Sequence, residues 1–424
     1  MTRPISAQDV EETVSWKAPI TFWVVGVFSL IAFGVFGRHE QTAIAISTSS
    51  DAVQLPAWEV DSAVFCTVAG VLMIAFAIVA TVSTRKLKRG LPLWGTIVYS
   101  ALFLLALLTW IGAGGQVPVT WLFTGALALA VPILFGGISG LLCERVGVTN
   151  IAIEGQLLAG AFAAAVVASM TDSYTAGILA AMIAGALVSL VLAVFSITYL
   201  VDQVIVGVVL NSLVIGATNY LYSVYLNDNS AELNFPGTLP ELPIPGLSAI
   251  PIIGSLFFDQ RVTVYIMFLI VPLVYLVVFK TKWGLRLRAV GEYPLAADTV
   301  GINVPRTRFW VVTVAGLVAG IGGSAISIGS VGAFVREMSA GQGYIALAAL
   351  ILGRWNPYLV ALAAVLFGFS SNLQVWIGQT SSGIPSDFVA MLPYAVTLIA
   401  VTGLVGRVRG PASVGIPYVK ADQQ

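Results

Sequence analysis

Residues Gly284–Arg308 read GLRLRAVGEYPLAADTVGINVPRTR, a charged stretch set between the apolar runs 263–280 and 309–333. The stretch holds four of the chain's twenty Lys and Arg side chains, with Lys280 and Lys282 just upstream. Its middle predicts a short helix. Pro294 suits a first helical position, Leu295 to Val300 are mostly good helix formers, and Gly301 is placed to end it. Basic flanks beside apolar runs put that helix at a membrane face, where it reads as a docking element for a soluble protein.

Working outward, the composition fits a membrane setting. Hydrophobic residues make up 58% of 424 and the mean hydropathy is +0.95, more than a soluble core can bury. The expectation is an all-α polytopic membrane protein. Apolar runs of about 18 residues or more fall near 19–37, 63–83, 92–112, 120–142, 176–200, 203–226, 263–280, 309–333, 357–377 and 388–406. Two further runs, 155–170 and 341–353, are rich in Gly and Ala and short for a crossing, as broken or re-entrant helices are. The total is ten to twelve transmembrane or partly re-entrant helices. The first run reads as a retained span, because its long polar lead carries Glu11 and Glu12 and the run itself is long.

If both short runs are counted as crossings, the termini share one side. Seventeen of the twenty Lys and Arg then fall on that side and only Arg38, Arg261 and Arg336 opposite, which places both termini and the 281–308 loop in the cytoplasm. The polar loops 38–62 and 227–262 become external. Pro and Gly in NFPGTLPELPIPGLSAIPIIG exclude a regular helix from the second.

Polar residues inside apolar runs are the candidate pathway groups, because polar groups at membrane depth are costly unless they face protein or water. GLLCERVGVTNIAIEGQLLAG, Gly140–Gly160, supplies Glu144, Arg145, Asn150, Glu154 and Gln156. Glu144 and Arg145 read as the cytoplasmic end of a span, with Asn150 capping the next helix. Glu154 reads equally as a cap or as a pathway carboxylate. In LVDQVIVGVVLNSLVIG, Asp202 is interfacial and Asn211 lies two helical turns inside, where it needs a partner. Asn150, Glu154 and Asn211 are the expected translocation-path residues. The small-residue pairs Gly136/Gly140 and Gly316/Gly320 read as close span packing.

Other classes find no support. Zero net charge gives no basic field for nucleic acid, and the two cysteines lie in apolar runs away from the lone His39, so no metal site or cofactor is expected. There is no phosphate-cradling G-x-x-x-x-G-K-[ST], no H-E-x-x-H and no exposed G-x-S-x-G, so the chain is not expected to be an enzyme. IGAGGQV at 111–117 echoes a nucleotide signature but sits at the end of a span.

GLLCERVGVTNIAIEGQLLAGAF, DQVIVGVVLNSL, RAVGEYPLAADTVGINVPRTRFW, SAGQGYIALAALILGRWNPYLVALAAVLFGF, IPSDFVAMLPYAVTLIA and GIPYVK, in that order over about 120–420, resemble permease subunits of ABC importers of the ribose and branched-chain amino acid class, most closely the nucleoside, basic membrane lipoprotein-dependent subgroup. The resemblance implies a type II-like importer fold with a permease core over 116–415, a cytoplasmic coupling loop at 281–308 and a tail at 416–424. Residues 1–115, which match less well, form an N-terminal extension of about three spans. It implies four kinds of partner: a second homologous permease, two cytoplasmic ATPases, an external substrate-binding lipoprotein and the lipid bilayer. By that likeness Glu292, Tyr293, Pro294, Leu295, Ala296, Ala297, Gly301 and Ile302 belong to the coupling helix that meets the ATPase, with Ala296 and Ala297 small enough for close approach. Nucleosides are the implied substrates and the plasma membrane the implied location. The alternatives are a simple-sugar permease of the same class and an ion-coupled secondary transporter, which would need a mid-membrane titratable group such as Glu154.

Overall fold

Ten helices long and apolar enough to cross a membrane occur among the described residues of the computed structural model, which are 16–48, 51, 53–87, 92–380, 391, 393–395 and 409–420. The expected span at 388–406 lies outside the described residues. The described residues divide into two compact units, those up to Thr120 together with 379–380 forming the first and the rest the second.

The first unit contains α1 (Lys17–Ser29), which runs on as a π turn over Leu30–Val35, then β1 (Gln41–Ala45), β2 (Trp58–Asp61), α2 (Ser62–Leu87), α3 (Leu93–Ile111) and β3 (Gln116–Pro118). The three helices are the spans expected there. β1 pairs antiparallel with β2 and parallel with β3. The IGAGGQV stretch is accordingly a helix end running into a strand. Between helices, the Tyr99 hydroxyl donates to the Phe22 carbonyl at 2.6 Å and the Cys66 thiol to that of Ala106 at 3.3 Å. Both satisfy polar atoms that lipid could not.

In the second unit, α4 (Val119–Arg145), α5 (Ile153–Thr171), α6 (Tyr174–Ala193), α7 (Gln203–Leu221), the short α8 (Ser230–Leu233), α9 (Val262–Tyr275), α10 (Lys282–Glu292), α11 (Pro294–Thr299), α12 (Val304–Ile326), α13 (Gln342–Leu352) and α14 (Pro357–Gln379) follow in order. Helices α6, α7, α9 and α12 end in single π turns. The 227–262 connection holds only α8, a π turn and the antiparallel pair β4 (Glu241–Pro243) and β5 (Asp259–Arg261), as its prolines require. α4 and α12 are the inner helices of the bundle.

Glycine decides how several helices of this unit meet. A Cβ on Gly160 would come within 2.8 Å of the Gly320 carbonyl, and one on Gly185 or Gly320 would strike the facing backbone. α5, α6 and α12 therefore pack main chain to main chain, which gains dispersion contact where lipid offers no hydrophobic drive. Gly136 and Gly140 of α4 make room for Ala346 and Leu350 of α13.

Two helices differ from simple spans. The run expected at 155–170 is part of α5, 19 residues long and long enough to cross. Its start is deep: Ile153 lies against Gly136 and Gly140, roughly 8–13 Å back along α4 from Arg145 at 1.5 Å per residue. The segment 147–152 thus folds back into the bundle. α13 has 11 residues, about 16 Å of helix, too little to cross a core of about 30 Å unaided, but the segment around it runs from Phe334, bonded to Asn234 of the 227–262 connection, to Trp355, bonded to Arg145 at the end of α4.

Candidate functional site

The fold-back begins with a helix stop. Gly147, at φ +82°, lets Val148 N donate to Cys143 O at 3.0 Å and its own N to Glu144 O at 2.9 Å, a Schellman end for α4. The chain then turns inward, and Asn150 meets Ser139 and Gln156 rather than a helix end. Its Nδ2 donates to Ser139 Oγ at 3.2 Å and Gln156 Oε1 at 3.1 Å, and Gln156 Nε2 donates to Asn150 Oδ1 at 3.2 Å and Ser189 Oγ at 2.7 Å. All four residues are fully enclosed. The expectation that Asn150 caps α5 is corrected: the N-cap is Ala152, which has no side-chain acceptor.

α5 is capped from another helix. Asn211 of α7 accepts from Gly155 N at 2.8 Å through Oδ1, while its Nδ2 donates to Ile151 O at 2.9 Å and to the Tyr344 hydroxyl at 3.3 Å. The partner that Asn211 required is the orphan N–H at the third position of α5.

Glu154, one residue earlier, does the same for α13. Its Oε1 accepts from Ser339 Oγ at 2.6 Å and Gly341 N at 2.8 Å, and its Oε2 from Gly343 N at 2.7 Å. α13 has no cap of its own at Gly341, so this carboxylate satisfies its first donors and neutralises the positive end of its dipole. A Cβ on Gly343 would sit 2.8 Å from Glu154 Oε2, so glycine there permits the approach.

The structure therefore joins Glu154 and Asn211 at one place, where α5 and α13 both begin inside the bundle, and puts Asn150 in a separate network built on Gln156. All three are buried. The exposed polar group at the junction is Tyr344, 50% accessible, which sequence reasoning passed over. Its signal was faint, a lone tyrosine beside a GQG turn.

Against the end of α4, where Gly291 abuts the Arg145 carbonyl, lies the 281–308 loop. α10 and α11 meet at Tyr293, Pro294 holds the first turn of α11, and Gly301 at φ +85° ends it. Gly301 N donates to Asp298 O at 2.9 Å and Ile302 N to Ala297 O at 3.0 Å, a second Schellman end. Tyr293 is 63%, Leu295 49% and Val300 76% exposed, an apolar knob flanked by Glu292, Ala296 and Gly301, also exposed. Ala297 is the exception. Expected with Ala296 to allow close approach of the ATPase, it is 3% accessible and packs into the main core, with Ile302 half-buried beside it. A six-residue helix needs one face to hold it down, and Ala297 is on that face.

The described tail straps this loop. Ser413 N donates to Gly291 O at 2.9 Å, Ala412 N to Glu292 Oε2 at 3.3 Å, and the buried Arg308 reaches Ile416 O at 3.0 Å. Beneath it, Trp355 Nε1 donates to Glu144 Oε2 at 2.5 Å and Arg145 donates to Trp355 O at 2.8 Å.

Residues 122–401 match the family described as branched-chain amino acid transport system / permease component. The guanosine ABC transporter permease protein NupQ of Bacillus subtilis is 37% identical over 69% of this chain and 95% of its own length. The nucleoside ABC transporter permease protein NupC of Lactococcus lactis is 36% identical over 70% and 95%. A glucose ABC transporter permease protein, TsgB13 of Haloferax volcanii, is 29% identical over 66% and 76%. No solved structure matches the chain. With the model of that family matched over most of its length and its helices long enough to cross a bilayer, this multi-pass membrane protein belongs to the permease components of the branched-chain amino acid transport class.

Proposed function

We propose that the chain is the nucleoside-translocating permease of an ATP-driven importer. The observation that carries the reading is the pair of relatives, one named for guanosine and one for nucleosides, each aligned over 95% of its own length. In this reading the chain works with a second homologous permease, two cytoplasmic ATPases that hydrolyse the ATP, and an external binding lipoprotein. Residues 116–415 are the permease core, 1–115 an extension of three spans, and both termini face the cytoplasm.

The knob of α11 supports a coupling role for 292–302, because it presents Tyr293, Leu295 and Ala296 outward on a segment started by Pro294, ended by the turn at Gly301 and strapped by the tail. A rigid element can transmit a push; ATP-driven closure of the partners would then shift the bundle between two states. The translocation path is assigned to the face around Tyr344, with Glu154 and Asn211 holding the starts of α5 and α13 behind it and Asn150 fixing the fold-back segment. Glu154 already accepts from three donors, which argues against the ion-coupled carrier.

Uptake of radiolabelled guanosine, uridine and glucose in cells with and without the chain tests this. Loss of nucleoside uptake alone is the expected result. Loss of glucose uptake alone would favour the sugar reading, for which the glucose relative speaks, and overturn the nucleoside one.

A further inference from the structure

Where α9 and α12 reach the cytoplasmic membrane face of the proposed topology, two clefts adjoin. The larger, about 450 Å³, is lined mainly by polar surface and includes Trp283, Arg286, Leu287, Ile302, Asn303 and Thr307. The smaller, about 220 Å³, is lined mainly by apolar surface and shares Trp283, Asn303 and Thr307 with it, adding Arg306, Trp310 and Val311. A polar cavity continuing into an apolar one at the end of two spans is the shape of an amphiphile.

The side chains agree. α10 buries Gly284, Leu287, Val290 and Gly291 and leaves Trp283, Leu285 and Arg286 outside, so it lies along the interface as an amphipathic helix. Trp283 and Trp310 are exposed where interfacial tryptophans sit. The guanidinium groups of Arg286 and Arg306, both exposed, find no hydrogen-bond or ion-pair partner among the described residues, and Lys280 and Lys282 add charge upstream. Basic pockets between span ends on the cytoplasmic side attract anionic head groups, and guanidinium forks suit phosphate oxygens.

We propose that this double cleft binds one anionic phospholipid, its phosphodiester where the two clefts adjoin, between Arg286 of the larger and Arg306 of the smaller, and the start of its acyl chain against Trp283, Trp310 and Val311 in the smaller. The lipid would fix α10 against the start of α12, and so the base of the 281–308 loop. The inference rests on the proposed orientation, with the ends of α9 and α12 at the cytoplasmic face, and stands apart from the substrate reading.

The test is native mass spectrometry of the detergent-purified full chain titrated with phosphatidylglycerol or phosphatidylcholine. One phosphatidylglycerol retained in preference to phosphatidylcholine is expected. The double variant Arg286→Gln, Arg306→Gln should lower that retention roughly tenfold or more, and Arg286→Lys, Arg306→Lys should keep most of it. Both arginines are exposed, so the variants should elute as the parent does on gel filtration, and a variant that does not is replaced by the single Arg306→Gln. Equal retention of the two lipids, or unchanged phosphatidylglycerol retention in the Gln variants, overturns the proposal. Displacement of the bound lipid by millimolar inorganic phosphate would assign the site to soluble phosphate, and ATPase co-purification lost while lipid retention stays intact would assign it to a protein partner; either result also overturns it.

Discussion

Replacing Glu154 with Gln probes the junction of α5 and α13 at nearly constant shape. The carboxylate accepts from Ser339 Oγ, Gly341 N and Gly343 N at 2.6, 2.8 and 2.7 Å. An amide has one acceptor oxygen. Placed at the Oε1 position, that oxygen keeps Ser339 and Gly341, and the amide NH2 then faces the Gly343 N–H at the distance of a former bond. Placed the other way, it keeps Gly343 and turns the NH2 against the Gly341 N–H, while the Ser339 hydroxyl can rotate to accept. The first arrangement loses one charge-assisted bond, about 1.5–3 kcal/mol, and part of the dipole interaction at the start of α13, up to about 2 kcal/mol in buried geometry.

A net loss of about 3 kcal/mol at the N-terminus of α13 raises the local open population roughly a hundredfold. Hydrogen exchange with mass analysis of peptides covering 339–346 reads this directly, with peptides from α4 as the internal reference. Exchange should accelerate in that segment alone, further still in Glu154→Ala, and transport should fall in parallel. Exchange unchanged in both variants would refute the anchoring role, since no other group on α13 caps its first turn.

The coupling surface is probed by two substitutions with opposite expectations. Leu295→Arg, on the exposed knob, should leave the chain folded and reduce ATPase co-purification roughly tenfold or more, whereas Ala297→Arg forces a charge into the core and should lower the yield of folded protein; normal yield of the second would remove the claim that Ala297 anchors the helix. A cysteine at Asn229 should react with an impermeant thiol reagent in whole cells and one at Leu295 should not, and equal labelling would discard the proposed orientation. Arg308→Met removes the donor to Ile416 O, worth about 1.5–3 kcal/mol, so limited proteolysis should cut within 409–420 sooner than in the parent chain; equal protection would show that the strap holds without it.

The spans were legible because lipid imposes a length and a hydropathy that soluble packing does not. The turn at Gly301 was legible too, since an αL stop after a proline-started helix leaves a local trace. What sequence could not give is capping across helices. Glu154 and Gly343 are separated by 189 positions, and Asn211 and Gly155 by 56, so each helix start looks uncapped by itself. For the same reason Asn150 reads as a cap: an Asn before an apolar run has that meaning locally, and only the fold-back brings it to Ser139 and Gln156 instead. Ala297 differs for the opposite reason: a small residue among exposed neighbours carries no local sign that it faces the core.

These long-range caps also bear on mechanism. A short helix begun inside a bilayer must have its first N–H groups satisfied by protein, and here the acceptor for α13 stands on the first turn of α5, whose own first turn is held by α7. The starts of α5 and α13 are thus linked through Glu154, and α7 through Asn211, by bonds costly to break in a dry interior. Any motion that opens a path at Tyr344 must carry these three helix segments together or break the caps. The glycine seam of α5, α6 and α12 is close-packed backbone with no soft side chain to yield, which favours displacement as a body. Rigid-body rocking is therefore the motion least opposed by this unit, and a firmly held α11 is what such a motion would require of the coupling element proposed here.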